Sequence, residues 1–226
     1  MKTLSIIIPA FNEEENIKIV LDEVITIVIP GWEKEIIVID DGSTDETGKL
    51  ALSYMSKVRY IKHPINKGKG EAIKTGIVSS SGDCILIQDA DREYNSKHIP
   101  ELVRAFETTH SAAIYGSRNL RPGRRGYPLY IFGVVLLTAL VNLRYKTILT
   151  DVYTGYKLFK GEVIRDITLE SSGFEFEMEI TMKILKAGGS IYEIPINYEP
   201  RKFKDGKKIR GWDGAVGLWT WFRNSI

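Results

Sequence analysis

From Leu4 to Ser117 the chain alternates short apolar runs with segments of helical spacing, and this rhythm constrains its fold more than any single residue does. Leu4-Ser5-Ile6-Ile7-Ile8 is nearly unbroken in its apolar character, as expected of a parallel strand covered on both faces. Pro9 ends the run, and Asn12 is placed to cap a helix whose first turn would hold Glu13, Glu14 and Glu15. Ile17, Val20, Leu21, Val24 and Val28 keep helical spacing, and Pro30-Gly31 closes the unit. A second strand, 35–39, runs into Asp40-Asp41-Gly42-Ser43, and Ser43 to Glu46 has capping-box spacing for the next helix. Further strands are expected at 58–61, 83–88 and 112–115, with helices at 69–78 and from Ser96 through Phe106. Such alternation implies an α/β fold, a Rossmann-like, doubly wound and mostly parallel sheet with right-handed crossovers.

In sheets of this kind, ligands bind beyond the carboxyl ends of the strands. Polar groups gather at those ends: Pro9 to Glu13, Asp40-Asp41, His63 to Lys69, and Asp89 to Glu93. The sharpest is Ile85-Leu86-Ile87-Gln88-Asp89-Ala90-Asp91, an apolar run that delivers two carboxylates. Residues i and i+2 of extended backbone share a side, so both acids would face one cation. A hard divalent ion such as Mg²⁺ or Mn²⁺ prefers such oxygen ligands and completes its shell with substrate phosphates. Two common phosphate motifs are excluded. Gly68-Lys69-Gly70 lacks the downstream Gly-Lys-Ser/Thr of a P-loop, and Ile73 fills the third glycine slot of a dinucleotide fingerprint. Acidic loops, a metal site and arginines beyond the sheet together suit a nucleoside-diphosphate leaving group.

The 226 residues suffice for one substantial domain, and 43% hydrophobic with 27% charged residues is ordinary globular composition. A formal net charge of +2 calls for no nucleic-acid partner. The basic residues are clustered, however: Arg118, Arg121, Arg124 and Arg125, then Arg201, Lys202, Lys204, Lys207, Lys208 and Arg210. Each cluster is either a solvated face or a holder of anionic ligands or lipid headgroups. Cys84 is the only cysteine and lies in an apolar run, which fits a packed thiol in a reducing compartment. His63, His98 and His110 have no metal-ligand spacing, and the N-terminus enters a strand with no signal-peptide pattern.

After Arg118 the pattern loosens. From Gly126 to Leu143 there is no charge, and Pro128 suits a helix start. A helix over 129–143 would be about 22 Å long, shorter than a bilayer core of about 30 Å. It reads as a core helix or a membrane-surface helix, not a span. A helix over 175–186 ending at Gly188-Gly189 and a strand at 190–196 follow, and Trp212, Trp219, Trp221 and Phe222 close the chain.

Taken in order, Ser5 to Glu13, Val38-Ile-Asp-Asp-Gly-Ser-Thr-Asp45, Asn66-Lys-Gly-Lys-Gly-Glu-Ala72, Gln88-Asp-Ala-Asp91 and Tyr115-Gly-Ser-Arg118 resemble the family 2 glycosyltransferases of GT-A fold. Asp151-Val-Tyr-Thr-Gly-Tyr-Lys157, Gly173-Phe-Glu-Phe-Glu177, Tyr198-Glu-Pro-Arg201 and Gly206-Lys-Lys208 resemble the branch with dolichol-phosphate mannose synthase and polyprenyl-phosphate glucosyltransferases. The resemblance implies one catalytic domain over 1–226: a nucleotide-sugar-binding half at 1–118 and an acceptor and membrane-surface extension at 119–226. It implies that Pro9, Phe11, Glu13, Asp40, Asp41 and Lys69 hold a UDP- or GDP-linked sugar together with Asp89. Phe11 stands where tyrosine is usual, which keeps stacking and loses a hydroxyl contact. Asp89, Asp91 and Glu93 would bind Mg²⁺ or Mn²⁺, with Arg92 at a position more often apolar. Asp91, Arg118 and Arg201 would carry catalysis, and Arg118, Lys157 and Arg201 would meet an acceptor phosphate. Tyr130 lies near a place where some relatives carry an arginine.

By the same resemblance, the sugar passes to polyprenyl (dolichyl or undecaprenyl) phosphate by single displacement with inversion. A lipid phosphate is already anionic and needs no strong base. An alcohol acceptor would need one, from Glu175, Glu177 or Asp151, although the two glutamates also suit a helix N-terminus. Two alternatives stay open: a soluble saccharide or other hydroxyl acceptor, and a non-catalytic nucleotide-sugar-binding subunit. The expected location is peripheral, on the cytoplasmic face of a membrane, with room for a separate membrane-anchoring subunit.

Overall fold

The computed structural model describes residues 1–121, 128–201 and 213–225. Among them, strands β1 (Lys2–Ala10), β2 (Trp32–Asp40), β3 (Arg59–Lys62), β4 (Cys84–Ile87), β5 (Ala113–Ser117), β6 (Lys157–Lys160) and β7 (Ile191–Pro195) form one sheet. Its order is β3-β2-β1-β4-β6-β5-β7. All neighbours are parallel except β6, which runs antiparallel to both β4 and β5. Helices α1 (Ile17–Thr26), α2 (Thr47–Leu52), α3 (Lys69–Ser79), α4 (Ile99–Thr109), α5 (Pro128–Tyr145), α6 (Gly161–Asp166), α7 (Phe176–Lys186) and α8 (Asp213–Ser225) complete the described elements.

The strand pleat sorts the core into two layers. Leu4, Ile6, Ile8, Val38, Cys84 and Leu86 pack on one face with Ile17, Leu21 and Val24 of α1 and Leu102 of α4. Ile7, Ile37, Ile39, Ile85 and Ile87 pack on the other with Ala72 and Ile73 of α3 and Phe176 and Ile180 of α7. Coverage on both faces is why the central strands read as continuous apolar runs. A Cβ on Gly76 would lie 2.4 Å from Ile7 Cγ2, so that glycine lets α3 approach β1 closely. Burying one such aliphatic side chain contributes about 1.5–3 kcal/mol, against about 0–1 for an exposed ion pair, so the apolar layers hold the fold. Burial pushes the Cys84 thiol up to about 12, consistent with a packed, unreactive group.

Several local expectations are corrected. Asn12 does not cap α1: its φ is 51°, and its Oδ1 accepts from the Thr44 amide at 2.9 Å, tying the β1 loop to the β2 loop. Helix α2 starts at Thr47, past the proposed capping box, and Asp45 Oδ1 accepts from the Thr47 amide. Asn95, not Ser96, caps the short 3₁₀ turn before α4, while Ser96 Oγ donates to Glu23. β6, α6 and α8 carry no expectation from sequence.

The uncharged segment becomes α5, which is buried along one part and exposed along another. Leu137 and Val141 pack with Val152, Met178 and Met182. Phe132, Val135, Leu136 and Leu143 on the same helix are exposed. No helix among the described residues is long and apolar enough to cross a membrane. Arg124, Arg125, Lys202, Lys204, Gly206, Lys207, Lys208, Arg210 and Trp212, and the side chain of Tyr130, lie outside the described residues.

Candidate active site

β4 ends at Ile87, so Asp89 and Asp91 sit in the turn beyond the strand rather than on extended backbone. Arg92 adopts φ 62° there. The turn aims the two acids at different cations. Lys69, the first residue of α3, places Nζ 2.7 Å from Asp89 Oδ1. Asp91 Oδ2 accepts from Arg201 Nη2 at 2.8 Å, and the same guanidinium donates to both carboxylate oxygens of Glu13 at 3.1 Å. Burial raises the Asp89 carboxyl to about 6; Lys69 pulls it down and the Asp91 charge pushes it up. Lys69 itself stays above the ordinary lysine range, because Asp89 and Glu177 outweigh the effect of burial.

Glu93 turns to the protein. Its carboxylate accepts from the Tyr198 hydroxyl at 2.8 Å and from the Arg201 amide at 2.7 Å, fastening the segment that carries Arg201. An isolated bridge between Tyr94 and Tyr198 lies beside this link. Among the described residues, no three His, Cys, Asp or Glu side chains converge as a metal cage. The anticipated Asp89, Asp91 and Glu93 triplet therefore does not assemble.

The donor chemistry still fits a divalent ion. Asp89 and Asp91 offer the hard carboxylate oxygens such an ion prefers, both largely buried beyond the end of β4. An ion seated on Asp89 and Asp91 would take further oxygens from a diphosphate and water, as Mg²⁺ commonly does.

Asp40 ends β2 and Asp41 follows it, and both are buried. Asp40 accepts from the Ser43 amide at 2.8 Å and the Tyr60 hydroxyl at 2.6 Å. Asp41 meets His63 Nδ1 at 2.7 Å and accepts from the Lys67 and Gly68 amides at 3.0 and 2.8 Å. That carboxylate shapes the loop leading to Lys69. Pro9, near the end of β1, and Phe11, just after it, are both partly exposed on this side.

The second half of the chain supplies the rest. Arg118 donates through Nε and Nη2 to Asp151, both at 2.7 Å, and its guanidinium lies 5.1 Å from the Tyr198 ring centre. Glu193 holds the Thr150 and Asp151 amides at 2.7 and 2.9 Å, which fixes that clasp. Lys157 does not face an acceptor. Its side chain is fully buried, and Nζ donates to the Val152 carbonyl at 3.1 Å, to the Thr154 carbonyl and to Glu177. Burial lowers its affinity for the proton, against the attraction of Glu177. The anticipated bases are likewise engaged. Glu175 Oε1 accepts from the Ser172 and Gly173 amides at 3.2 and 3.0 Å, Asp151 is clasped by Arg118, and Glu177 is buried between two lysines. Gly155 is a contributor that sequence reading passed over: a Cβ there would lie 2.5 Å from Asp89 Oδ2.

A model of the family described as "Glycosyl transferase family 2" matches residues 5–168. The chain is 30% identical to a dolichyl-phosphate beta-glucosyltransferase of Dictyostelium discoideum, over 95% of this chain and 71% of that protein. It is 29% identical to a dolichol-phosphate mannosyltransferase of Pyrococcus furiosus, over 92% of this chain and 59% of that protein. In three dimensions it matches glucosyl-3-phosphoglycerate synthase of Mycobacterium tuberculosis, crystallised with Mn²⁺, UDP and glucosyl-3-phosphoglycerate. The TM-score is 0.78 at 22% identity, over 99% of this chain and 80% of that one.

Proposed function

The chain belongs to glycosyl transferase family 2 and is a glycosyltransferase of GT-A fold, and from that premise we propose that it moves a sugar from a nucleoside-diphosphate donor to a polyprenyl phosphate. Residues 1–118 would hold the donor, through Pro9, Phe11, Glu13, Asp40, Asp41, Lys69 and Asp89. Residues 119–226 would serve the acceptor and rest on the cytoplasmic face of a membrane, with or without an anchoring subunit.

One observation carries the choice of acceptor. The three carboxylates named as candidate bases are each held by a cation or by backbone amides: Asp151 by Arg118, Glu177 by Lys157, and Glu175 by Ser172 and Gly173. An alcohol would need a base within reach of its proton. A phosphate monoester is anionic at neutral pH and attacks without one. Relatives named for dolichyl phosphate point the same way.

Asp89 and Asp91 would hold Mg²⁺ or Mn²⁺, which when bound stabilises negative charge on the departing diphosphate as a Lewis acid. The remaining task is repulsion between two anions brought together. Arg118 and Arg201 would offset it; a guanidinium carries five donors, and Asp151 takes two of those on Arg118. Asp151 also holds the Arg118 side chain in one orientation before substrate arrives. Attack from the face opposite the leaving group would invert the anomeric carbon.

The test is transfer from a panel of UDP- and GDP-sugars, with Mn²⁺, to polyprenyl phosphate in detergent and to soluble saccharides. Sugar on the lipid phosphate is the expected product, lost in Asp91→Asn. Transfer to saccharides alone would reject the acceptor, and full activity of Asp91→Asn would reject the metal site.

A further inference from the structure

Lys157 and Glu177 form a fully enclosed ion pair that no step above uses. Lys157 lies on β6, opposite Ile87 of β4, where an apolar residue would satisfy the sheet. Its side chain has no exposure and that of Glu177 has 4%. Burying two charges costs several kcal/mol per ion before their attraction is counted, and apolar replacements of similar volume are often as stable. Fold stability alone therefore gives little reason for the pair.

The geometry gives another. Lys157 holds Glu177 by Oε2 and anchors its own Nζ on the Val152 and Thr154 carbonyls. Glu177 Oε1 accepts no hydrogen bond among the described residues and faces Lys69 Nζ at 3.3 Å. Lys69 Nζ in turn reaches Asp89 at 2.7 Å to Oδ1 and 3.0 Å to Oδ2. The four groups alternate in charge, from the sheet interior to the turn after β4. The chain segments that supply them are brought together by backbone contacts as well: the Gly70 amide donates to the Ser172 carbonyl at 2.7 Å.

We infer that Glu177 is a positioning residue which, clamped by the buried Lys157, holds Lys69 against Asp89 and so fixes the orientation of that carboxylate for the metal. The inference rests on the metal assignment proposed above and goes beyond it, because neither Lys157 nor Glu177 would touch metal, donor or acceptor. A buried carboxylate aimed at a lysine restricts where the lysine nitrogen can sit, and the lysine restricts the aspartate. Partners of metal ligands behave in this way, and their loss typically costs about 10–100-fold in metal affinity or activity.

The test separates positioning from packing. Glu177→Gln alone would leave Lys157 buried without its countercharge, so the informative variants are Lys157→Met with Glu177→Leu, and Glu177→Asp. The double variant replaces the ion pair by apolar side chains; Glu177→Asp keeps the charge for Lys157 and shortens the reach to Lys69. Mn²⁺ alone is titrated and binding is read from loss of the free-ion EPR signal, beside the melting temperature. Expected are a double variant that melts near the wild type and both variants binding Mn²⁺ about tenfold or more weakly. Wild-type Mn²⁺ affinity in a folded double variant would overturn the inference, as would wild-type affinity in Glu177→Asp. Asp89→Asn is the companion measurement. Should it bind Mn²⁺ as the wild type does, the metal assignment itself falls, whatever the Glu177 variants do.

Discussion

Arg201 Nη2 lies 2.8 Å from Asp91 Oδ2, and the same side chain spans to Glu13 through both terminal nitrogens. One guanidinium thus neutralises a carboxylate proposed for the metal and another proposed for the nucleoside. A divalent ion approaching Asp91 must compete with it for Oδ2. Arg201→Met is expected to lose about 10–100-fold in transfer, because the same cation would offset phosphate repulsion, and its Mn²⁺ affinity is expected to change as the contact with Asp91 is removed. EPR titration and turnover together check this. Unchanged Mn²⁺ affinity would show that the guanidinium does not compete.

Asp89 gives the site a pH dependence. Burial pushes its folded carboxyl up to about 6, above the ordinary value of 3.8. Between those values the native state holds the proton more tightly than the unfolded chain, so the contribution to stability falls as pH rises from about 4 to 6. Metal binding has the opposite requirement, because only the carboxylate coordinates. Mn²⁺ affinity is expected to fall by up to about tenfold per pH unit below 6, while without metal the melting temperature gains from Asp89 protonation. A Mn²⁺ affinity that is flat from pH 7 to 5 would contradict both the assignment and the shift.

The exposed apolar residues of α5 and α8 make a third prediction. Phe132 is 66% exposed, Trp219 63% and Phe222 52%, and the Trp219 and Phe222 rings stack at 6.0 Å. Aromatic side chains favour the membrane interface. The wild type is expected to float with anionic vesicles. Phe132→Asp with Trp219→Asp is expected to stay in the dense fraction at an unchanged melting temperature. Equal flotation of both proteins would remove this face from the membrane contact.

What the sequence disclosed follows from which forces leave a local trace. β1, β2 and β4 were legible because burial on both faces demands an unbroken apolar run. β6 was not: Lys157-Leu158-Phe159-Lys160 is too short to show a period, and its first lysine points inward to a partner twenty residues away. Asp89 and Asp91 were legible as acids at a strand tip, yet their separate cations were not. Lys69 comes from the start of α3, and Arg201 reaches Asp91 across 110 positions of chain. Glu93 looked like a third ligand for the same reason: nothing near it in sequence announces that Tyr198 and Arg201 will occupy its carboxylate. Charge type is written locally, but pairing is decided by the tertiary fold.

Gly155 tests whether the space around Asp89 matters separately from the overall fold. A Cβ at this position would lie 2.5 Å from Asp89 Oδ2, 3.1 Å from the Tyr94 ring and 3.2 Å from Lys69 Nζ. The Gly155 amide also donates to the Tyr94 hydroxyl at 2.9 Å, so the backbone has little freedom to withdraw. The least confined of the three neighbours is the Asp89 and Lys69 pair, and that pair would move. Gly76→Ala is the control, because its Cβ would strike Ile7 in the apolar layer at 2.4 Å, away from the turn after β4. Both substitutions are expected to cost about 1–3 kcal/mol of stability through overpacking. Only Gly155→Ala is expected to weaken Mn²⁺ binding, by about tenfold or more, as a displaced ligand would. Thermal melts give the first quantity and EPR titration the second. If both alanine variants bound the ion equally well, the orientation of Asp89 would have no bearing on the metal.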